Sequence, residues 1–347
     1  MKIAGLDIGG ANTDLAIIDF DNEGNIENIQ TDFAFLPMWC ENDTLQDVLI
    51  ELIENICPLD ELDGVGISMT AELVDAYKTK TEGVLDVVRK SNEVFNIPLA
   101  FITLDGVKST EDIKKDPLKA AAANWIATAS IASKIASDCI FVDTGSTTTD
   151  IIPVKNGHEC AQGRSDMERL ATGELVYTGT LRTNLCAFLD KIPLEKDNET
   201  KYYRVGSELF AETADIYMVL GLITEEDYVC NTNDGAGKSK IECARRIARV
   251  LCADLEMLTM DDIEELSENI HQAQVKQVAE AIDEVSKREN INTIVVTGLG
   301  KDIIDRPAAE SLGLNVRSMD EFLTNEQCVV APAVGTAILT EEFFRNS

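Results

Sequence analysis

The sequence predicts an α/β protein of two lobes, and three observations carry the prediction. Strand-like apolar runs alternate with stretches whose apolar residues fall at helical spacing. A strand that ends on Asp-x-Gly and returns through small polar residues occurs twice, as GLDIGGANTD at 5–14 and as IFVDTGSTTTD at 140–150. The chain has 347 residues, enough for about two domains of ~150 residues each. A repeated opening implies internal duplication. The expected lobes are 1–120, with the first glycine turn, and 121–347, with the second and a third.

Each element follows in order. Residues 2–8 and 14–20 read as two strands joined by the first glycine turn, and NIENIQTDFAF (25–35) as a third. TLQDVLIELIENI (44–56) is helical by periodicity, with Thr44 and Asp47 as a capping box. DGVGISM (63–69) is a short buried strand, EGVLDVVRKSNEVF (82–95) a helix and PLAFITL (98–104) a strand. DPLKAAAANWIATASIASKI (116–135) begins with Asp-Pro, a favoured helix opening, and its alanines imply close packing. The second strand-turn-strand start at 139–154 extends to about 163. The stretch 165–240 is less regular, with a charged segment LEKDNETKYYR (194–204) and a helix-like ELFAETADIYMVLGLI (208–223). KIECARRIARVLCADLEML (240–258) and IEELSENIHQAQVKQVAEAIDEVSKR (263–288) are long helical stretches. TIVVTG (293–298) is a strand entering the third glycine turn, and APAVGTAILTEEFF closes the chain as an Ala-rich helix.

Composition excludes several classes. The chain carries 62 Asp+Glu against 30 Lys+Arg, a net charge of −32. Such a surface repels a phosphate backbone, so nucleic acid is not an expected partner, and an acidic protein that binds phosphates needs a metal ion or a local basic patch. None of the nine cysteines lies in a CxxC pair, which argues against a disulfide framework or a zinc ribbon. Cys139 and Cys252 read as buried small apolar residues in a reducing cytosol. His158 and His271 are the only histidines and lack partners at metal-ligand spacing, so a His-based zinc site or a Ser-His-Asp triad is unsupported. Met1-Lys2 leads directly into a strand with no leader-like apolar segment. No apolar run reaches the ~18 residues of a membrane span. A cytoplasmic protein without membrane contact is expected; a homo-oligomer is allowed.

The turns carry the chemistry. Asp7 and Asp143 end apolar strands, where a carboxylate is costly unless paired or bound to metal. Gly9, Gly10 and Gly145 let the backbone approach an oxyanion. Asn12, Thr13, Thr144, Ser146 and Thr147, with the turn N–H groups, can wrap phosphate oxygens. Asp14 and Asp150 open the return strands. Taken singly, each stretch is also an ordinary Asx-capped turn. Taken as a pair, they predict two loops facing each other across a central cleft and clamping a diphosphate, with Mg²⁺ held by Asp7 and Asp143. In the third turn, VVTGLGK (295–301), Gly298 and Gly300 leave room for a flat ring or a ribose, so a side chain at 298 is expected to fill ring space. DGAGKSK (234–240) ends like a P-loop, but Thr232 stands where the motif begins with glycine, and Ser239 with Glu242 forms a capping box instead. Thr259 and Asp262 repeat that cap pattern. Arg164, Arg169 and Arg182 are either anion ligands or ion-pair partners. Tyr177, Tyr202 and Tyr203 either stack on a ring or pack ordinarily.

The three turns together resemble the two phosphate motifs and the adenosine motif of the actin/Hsp70/sugar-kinase superfamily. DIGGANTD and DTGSTTTD are similar to the hydantoinase/oxoprolinase branch, in which a DxGGTxTD-like first loop is typical. TGELVYTGTLRT (172–183) and ARRIARVLCAD (244–254) resemble an archaeal family tied to tetrahydromethanopterin-linked one-carbon metabolism. That family includes methanofuran-precursor synthases, which join an aminomethylfuran diphosphate to γ-glutamyltyramine. The resemblance spans nearly the whole chain. It implies two ribonuclease-H-like lobes in an actin-like ATPase fold. It also implies a Mg²⁺-dependent transferase of methanofuran biosynthesis whose partners are a small-molecule diphosphate and a phenolic acceptor. Asp7, Asp143, Asp14 and Asp150 would be its catalytic carboxylates, with Asp14 or Asp150 taking the phenol proton. Ala11-Asn12 and Ser146 depart from the branch's usual loops and favour a diphosphate other than ATP. The alternatives are an ATP-dependent kinase or hydantoinase/oxoprolinase-like hydrolase, and a non-enzymatic nucleotide sensor.

Overall fold

KIAGLDI and GVGISM contain almost nothing but apolar and small residues, as strands covered on both faces do. In the computed structural model, which describes residues 1–196 and 198–346, they are the central pair of a six-stranded sheet. β1 (Lys2–Ile8) pairs antiparallel with β2 (Asn12–Phe20) and parallel with β4 (Gly64–Met69). β3 (Ile26–Phe35), β5 (Leu99–Thr103) and β6 (Gly106–Ser109) complete the order β3-β2-β1-β4-β5-β6. Leu6, Ile8, Leu15, Ile17, Ile67 and Phe101 form the centre of its core with Val84 and Val87 of the helix Lys80–Val94. The closing helix Ala331–Arg345 lies on the same sheet. It comes so close that a Cβ on Gly66 would stand 1.9 Å from Thr340 Oγ1.

The chain divides into two compact units: Met1–Cys139, Val154–Glu168 and Ser318–Ser347 in one, Ile140–Pro153 and Arg169–Arg317 in the other. The second unit's sheet has the strand order β10-β8-β7-β13-β14, from β7 (Cys139–Thr144), β8 (Thr149–Lys155), β10 (Leu175–Val176), β13 (Thr293–Thr297) and β14 (Asn315–Ser318), while β9 (His158–Glu159) pairs with Val154 and Lys155 at the end of β8, within the first unit's segment. The charged segment near 200 is a regular antiparallel hairpin, β11 (Lys191–Lys196) with β12 (Glu199–Arg204); its Asp197 lies outside the described residues. Helices Thr213–Leu220, Lys240–Val250 and Met260–Glu289 cover this unit's core, in which Ile247, Ile270 and Val278 meet Val142, Ile294 and Val296. Two of the three expected capping boxes are present, Ser239 with Glu242 and Thr259 with Asp262.

Three local expectations are corrected. Thr44 precedes the helix Leu45–Glu54 but makes no side-chain cap; its hydroxyl donates back to the Glu41 carbonyl at 2.9 Å. Pro117 opens only the single 3₁₀ turn Pro117–Ala120, and a left-handed Ala122 (φ 48°) interrupts the chain before the helix Asn124–Ile135 begins. Cys252 is exposed, because its helix ends at Val250 and the residue falls on a left-handed turn with φ 54°. All nine cysteines are free thiols. No described helix is long and apolar enough to cross a membrane.

Candidate active site

The two glycine turns are built alike. Gly9 N–H donates to the Asn12 carbonyl at 2.8 Å, and Gly145 N–H to the Thr148 carbonyl at 3.0 Å. Neither closure uses the intervening N–H groups. Those of Gly10 and Ala11, and of Ser146, Thr147 and Thr148, meet no acceptor among the described residues. Open N–H groups in a turn are the donors that an oxyanion needs.

In the first unit, Asp7 is 6% exposed at the end of β1. Its carboxylate accepts from Ser68 Oγ at 2.7 Å and from Asn124 Nδ2 at 3.3 Å. Ser68 is held in turn by Thr336 of the closing helix at 2.9 Å. The helix start at Asn124, rather than near Pro117, is what brings that amide to Asp7. Asp14 stands directly opposite Asp7 in the ladder. Burial, then the Asp7 charge, pushes the Asp14 carboxyl up to about 8. Thr13 does not join them. Successive strand residues face opposite sides, and Thr13 lies fully buried, its hydroxyl without a partner.

In the second unit, Asp143 occupies the equivalent strand end. Thr144 is fully buried: its hydroxyl donates to Asp305 and meets Thr149 Oγ1 at 2.8 Å, while its N–H donates to Asp305 at 3.2 Å. Thr144 therefore braces the loop from beneath. Burial raises the fully enclosed Asp305 carboxyl to about 7, against the opposing effect of the Thr144 hydrogen bonds. Asp150 is taken by the buried Arg169, at 2.5 Å. Ser146 and Thr147 remain half-exposed on the open side of the turn.

The third turn is packed against the second. Gly298, at φ 84°, sits where a Cβ would lie 2.2 Å from Asp143 Oδ1 and 2.7 Å from the Thr144 carbonyl. Gly300 N–H donates to that carbonyl at 2.8 Å. The expectation that a side chain at 298 would fill ring space is corrected: it would strike the strand end that carries Asp143. The segment Thr178–Thr183 forms the other brace, through Thr180 N–H to the Gly145 carbonyl at 2.9 Å and Leu181 and Arg182 N–H to the Ser146 carbonyl at 3.0 and 2.9 Å. Sequence reasoning missed Ser68, Asn124, Thr336 and Asp305. A small polar residue inside a buried strand, such as Ser68 in GVGISM, was the one signal available.

Of the other candidates, Arg164 pairs with Glu159 at 2.9 Å, Tyr177 and Tyr202 are exposed, and Tyr203 packs at the edge of the second core. The P-loop look-alike is a loop before a capped helix; Lys238 Nζ donates to the Tyr228 carbonyl and stands 5.2 Å from that ring's centre. Lys238→Ala should leave kcat/KM within about twofold, because surface substitutions away from a site change little. A hundredfold loss in the same assay would restore the P-loop reading. A cavity of about 490 Å³ in the first unit, near Val107, His158 and Phe343, includes no residue of the glycine turns.

Known structures share this architecture. A ROK family glucokinase from Streptomyces griseus, in complex with glucose and AMPPNP, aligns with a TM-score of 0.52 at 13% identity, over 99% of this chain and 100% of its own. Nucleotide-free acetone carboxylase aligns at 0.59 and 10% identity, over 97% of this chain and 70% of that one. These likenesses show the fold, the two-sheet α/β architecture found in actin-like ATPases and sugar kinases. The hydantoinase/oxoprolinase family model matches residues 63–343. A Methanocaldococcus jannaschii protein named (4-{4-[2-(gamma-L-glutamylamino)ethyl]phenoxymethyl}furan-2-yl)methanamine synthase is 40% identical over 99% of this chain and 98% of its own length. A Methanococcus vannielii protein of the same name is 37% identical over 60% of this chain and 93% of its own. The chain belongs to the hydantoinase/oxoprolinase family, in the company of these methanamine synthases.

Proposed function

We propose that this chain is a transferase of methanofuran biosynthesis that forms the aryl ether named in its relatives. The observation that carries the reading is the full-length match to the Methanocaldococcus jannaschii synthase. The open N–H groups of both glycine turns support it, since they suit a diphosphate leaving group. The phenol would be that of γ-glutamyltyramine, and the carbon that of an aminomethylfuran methyl diphosphate.

The bond between the furan methylene carbon and the diphosphate breaks, and its electron pair leaves on the diphosphate oxygen. The furan ring spreads the positive charge. The phenol oxygen then bonds to that carbon and loses its proton. Turn N–H groups stabilise the charge that develops on the leaving oxygens. We assign the proton to Asp14. A base works best with a pKa near the working pH; burial raises the Asp14 carboxyl, whereas the Asp150 carboxylate is held by Arg169.

Mg²⁺ fits the donors present. It takes one or two carboxylate oxygens together with substrate phosphates and water, not a dedicated cage. Asp7 in the first unit and Asp143 in the second are each a hard carboxylate at a strand end beside open N–H groups, and each by itself would hold the ion together with substrate phosphates. The ion would supply charge neutralisation on the leaving diphosphate.

The test supplies the furan diphosphate, γ-glutamyltyramine and Mg²⁺ without nucleotide. One diphosphate released per ether formed is the expected result. Turnover only with ATP, with ADP as co-product, would establish instead the kinase or hydrolase reading, which the glucokinase-like fold favours. The same assay checks Asp14. Burial and the Asp7 charge raise the Asp14 carboxyl, so kcat should rise with pH as it ionises, and a cation on Asp7 should move that rise to lower pH. In Asp14→Asn that rising limb should disappear, along with most of the activity, by about 10²-fold or more.

A further inference from the structure

The second glycine turn carries a cation placed in an unusual way. Arg182 is exposed, and its guanidinium donates through Nε at 3.1 Å and Nη2 at 2.8 Å to Thr147 Oγ1. No carboxylate lies within 4.0 Å of it among the described residues, although acidic residues outnumber basic ones 62 to 30. The neighbouring arginines have met the ordinary fate: Arg164 and Arg169 are ion-paired.

The position of Arg182 is imposed by the backbone. Its own N–H and that of Leu181 share the Ser146 carbonyl. Three residues before Arg182, Gly179 passes so near the turn that a Cβ there would be 2.4 Å from Thr147 N. Beneath, Gln274 Nε2 donates to the Gly179 carbonyl and to Thr178 Oγ1, both at 2.9 Å, and Gly179 N–H donates to Thr183 Oγ1 at 2.8 Å. The carbonyls of Gly145, Ser146 and Thr148 are all occupied as acceptors. The Ser146 and Thr147 hydroxyls meet at 3.2 Å, so what the turn leaves open is the N–H groups of Ser146, Thr147 and Thr148 and the guanidinium edge not bound to Thr147. A planar guanidinium beside such donors matches a phosphate oxygen pair.

We propose that Arg182 and the 146–148 N–H groups form one phosphate-binding half-site, and that Arg182 is the residue that selects a phosphate-bearing substrate over the uncharged alcohol. In this acidic chain it is the local positive charge that a phosphate binder requires. The proposal rests on the transferase reading for the identity of the substrate, but the half-site itself can be probed without turnover. Calorimetry with inorganic pyrophosphate and Mg²⁺ should give a Kd for Arg182→Gln about 10- to 100-fold above that of the unaltered protein. Arg182→Lys should recover part of the loss, because it keeps the charge and loses the fork. In the coupled assay, KM for the furan diphosphate should rise similarly, while KM for γ-glutamyltyramine stays put. Equal thermal midpoints would show that the exposed substitution leaves the fold intact. Pyrophosphate affinity unchanged within twofold in Arg182→Gln, or no pyrophosphate binding by the unaltered protein, would overturn the half-site. Pyrophosphate binding that depends on Arg182 without any ether formation would uphold it and overturn the transferase reading alone.

Discussion

Asp7→Asn and Asp143→Asn should each lower kcat/KM for ether formation by on the order of 10²-fold or more. The amide keeps the size of the carboxylate and retains an oxygen that can accept from Ser68 at position 7. It removes the negative charge that a hard cation requires. The loss should therefore come with a higher Mg²⁺ requirement and little change in the thermal midpoint. A Mg²⁺ titration of the rate separates the two aspartates, since each can be tested alone. A variant with near-full activity and an unchanged Mg²⁺ midpoint would remove that residue from the metal site.

Gly298→Val should abolish activity and also lower stability, which sets it apart from the aspartate variants. The left-handed φ of 84° costs a side-chain-bearing residue ~1–2 kcal/mol before any contact is counted. The Cβ would then collide with Asp143 Oδ1 and the Thr144 carbonyl, at 2.2 and 2.7 Å. Neither neighbour can yield cheaply, because Thr144 is pinned by Asp305 through both its N–H and its hydroxyl. We expect a thermal midpoint lower by several degrees and loss of pyrophosphate affinity together with turnover. A folded Gly298→Val that keeps pyrophosphate affinity and loses only an organic substrate would mean that the turn serves a ring after all.

By itself, the sequence determined the features that depend on near neighbours. Strand-like runs bounded by turn residues marked β1, β2, β3 and β4, and apolar residues at helical spacing marked the long helix Met260–Glu289. Cap pairs three residues apart marked the starts at Ser239 and Thr259. The two Asp-x-Gly turns were legible because their closing bonds, Gly9 to Asn12 and Gly145 to Thr148, span only three residues. The tertiary structure decided what each polar side chain in those turns is for. Thr13 and Thr144 read as phosphate ligands because they stand in the loops. One is turned into the core by strand alternation, and the other is consumed by Asp305, 161 residues away. Ser68, Asn124 and Thr336 reach the Asp7 environment from three separate elements. Arg169 and Arg182 are indistinguishable as residue types, yet one is buried against Asp150 and the other is left facing an open turn. The reason is physical: a turn or a helix is specified by torsions and hydrogen bonds a few residues apart, whereas the partner of a buried charge or hydroxyl is whatever distant segment packing brings within about 3 Å.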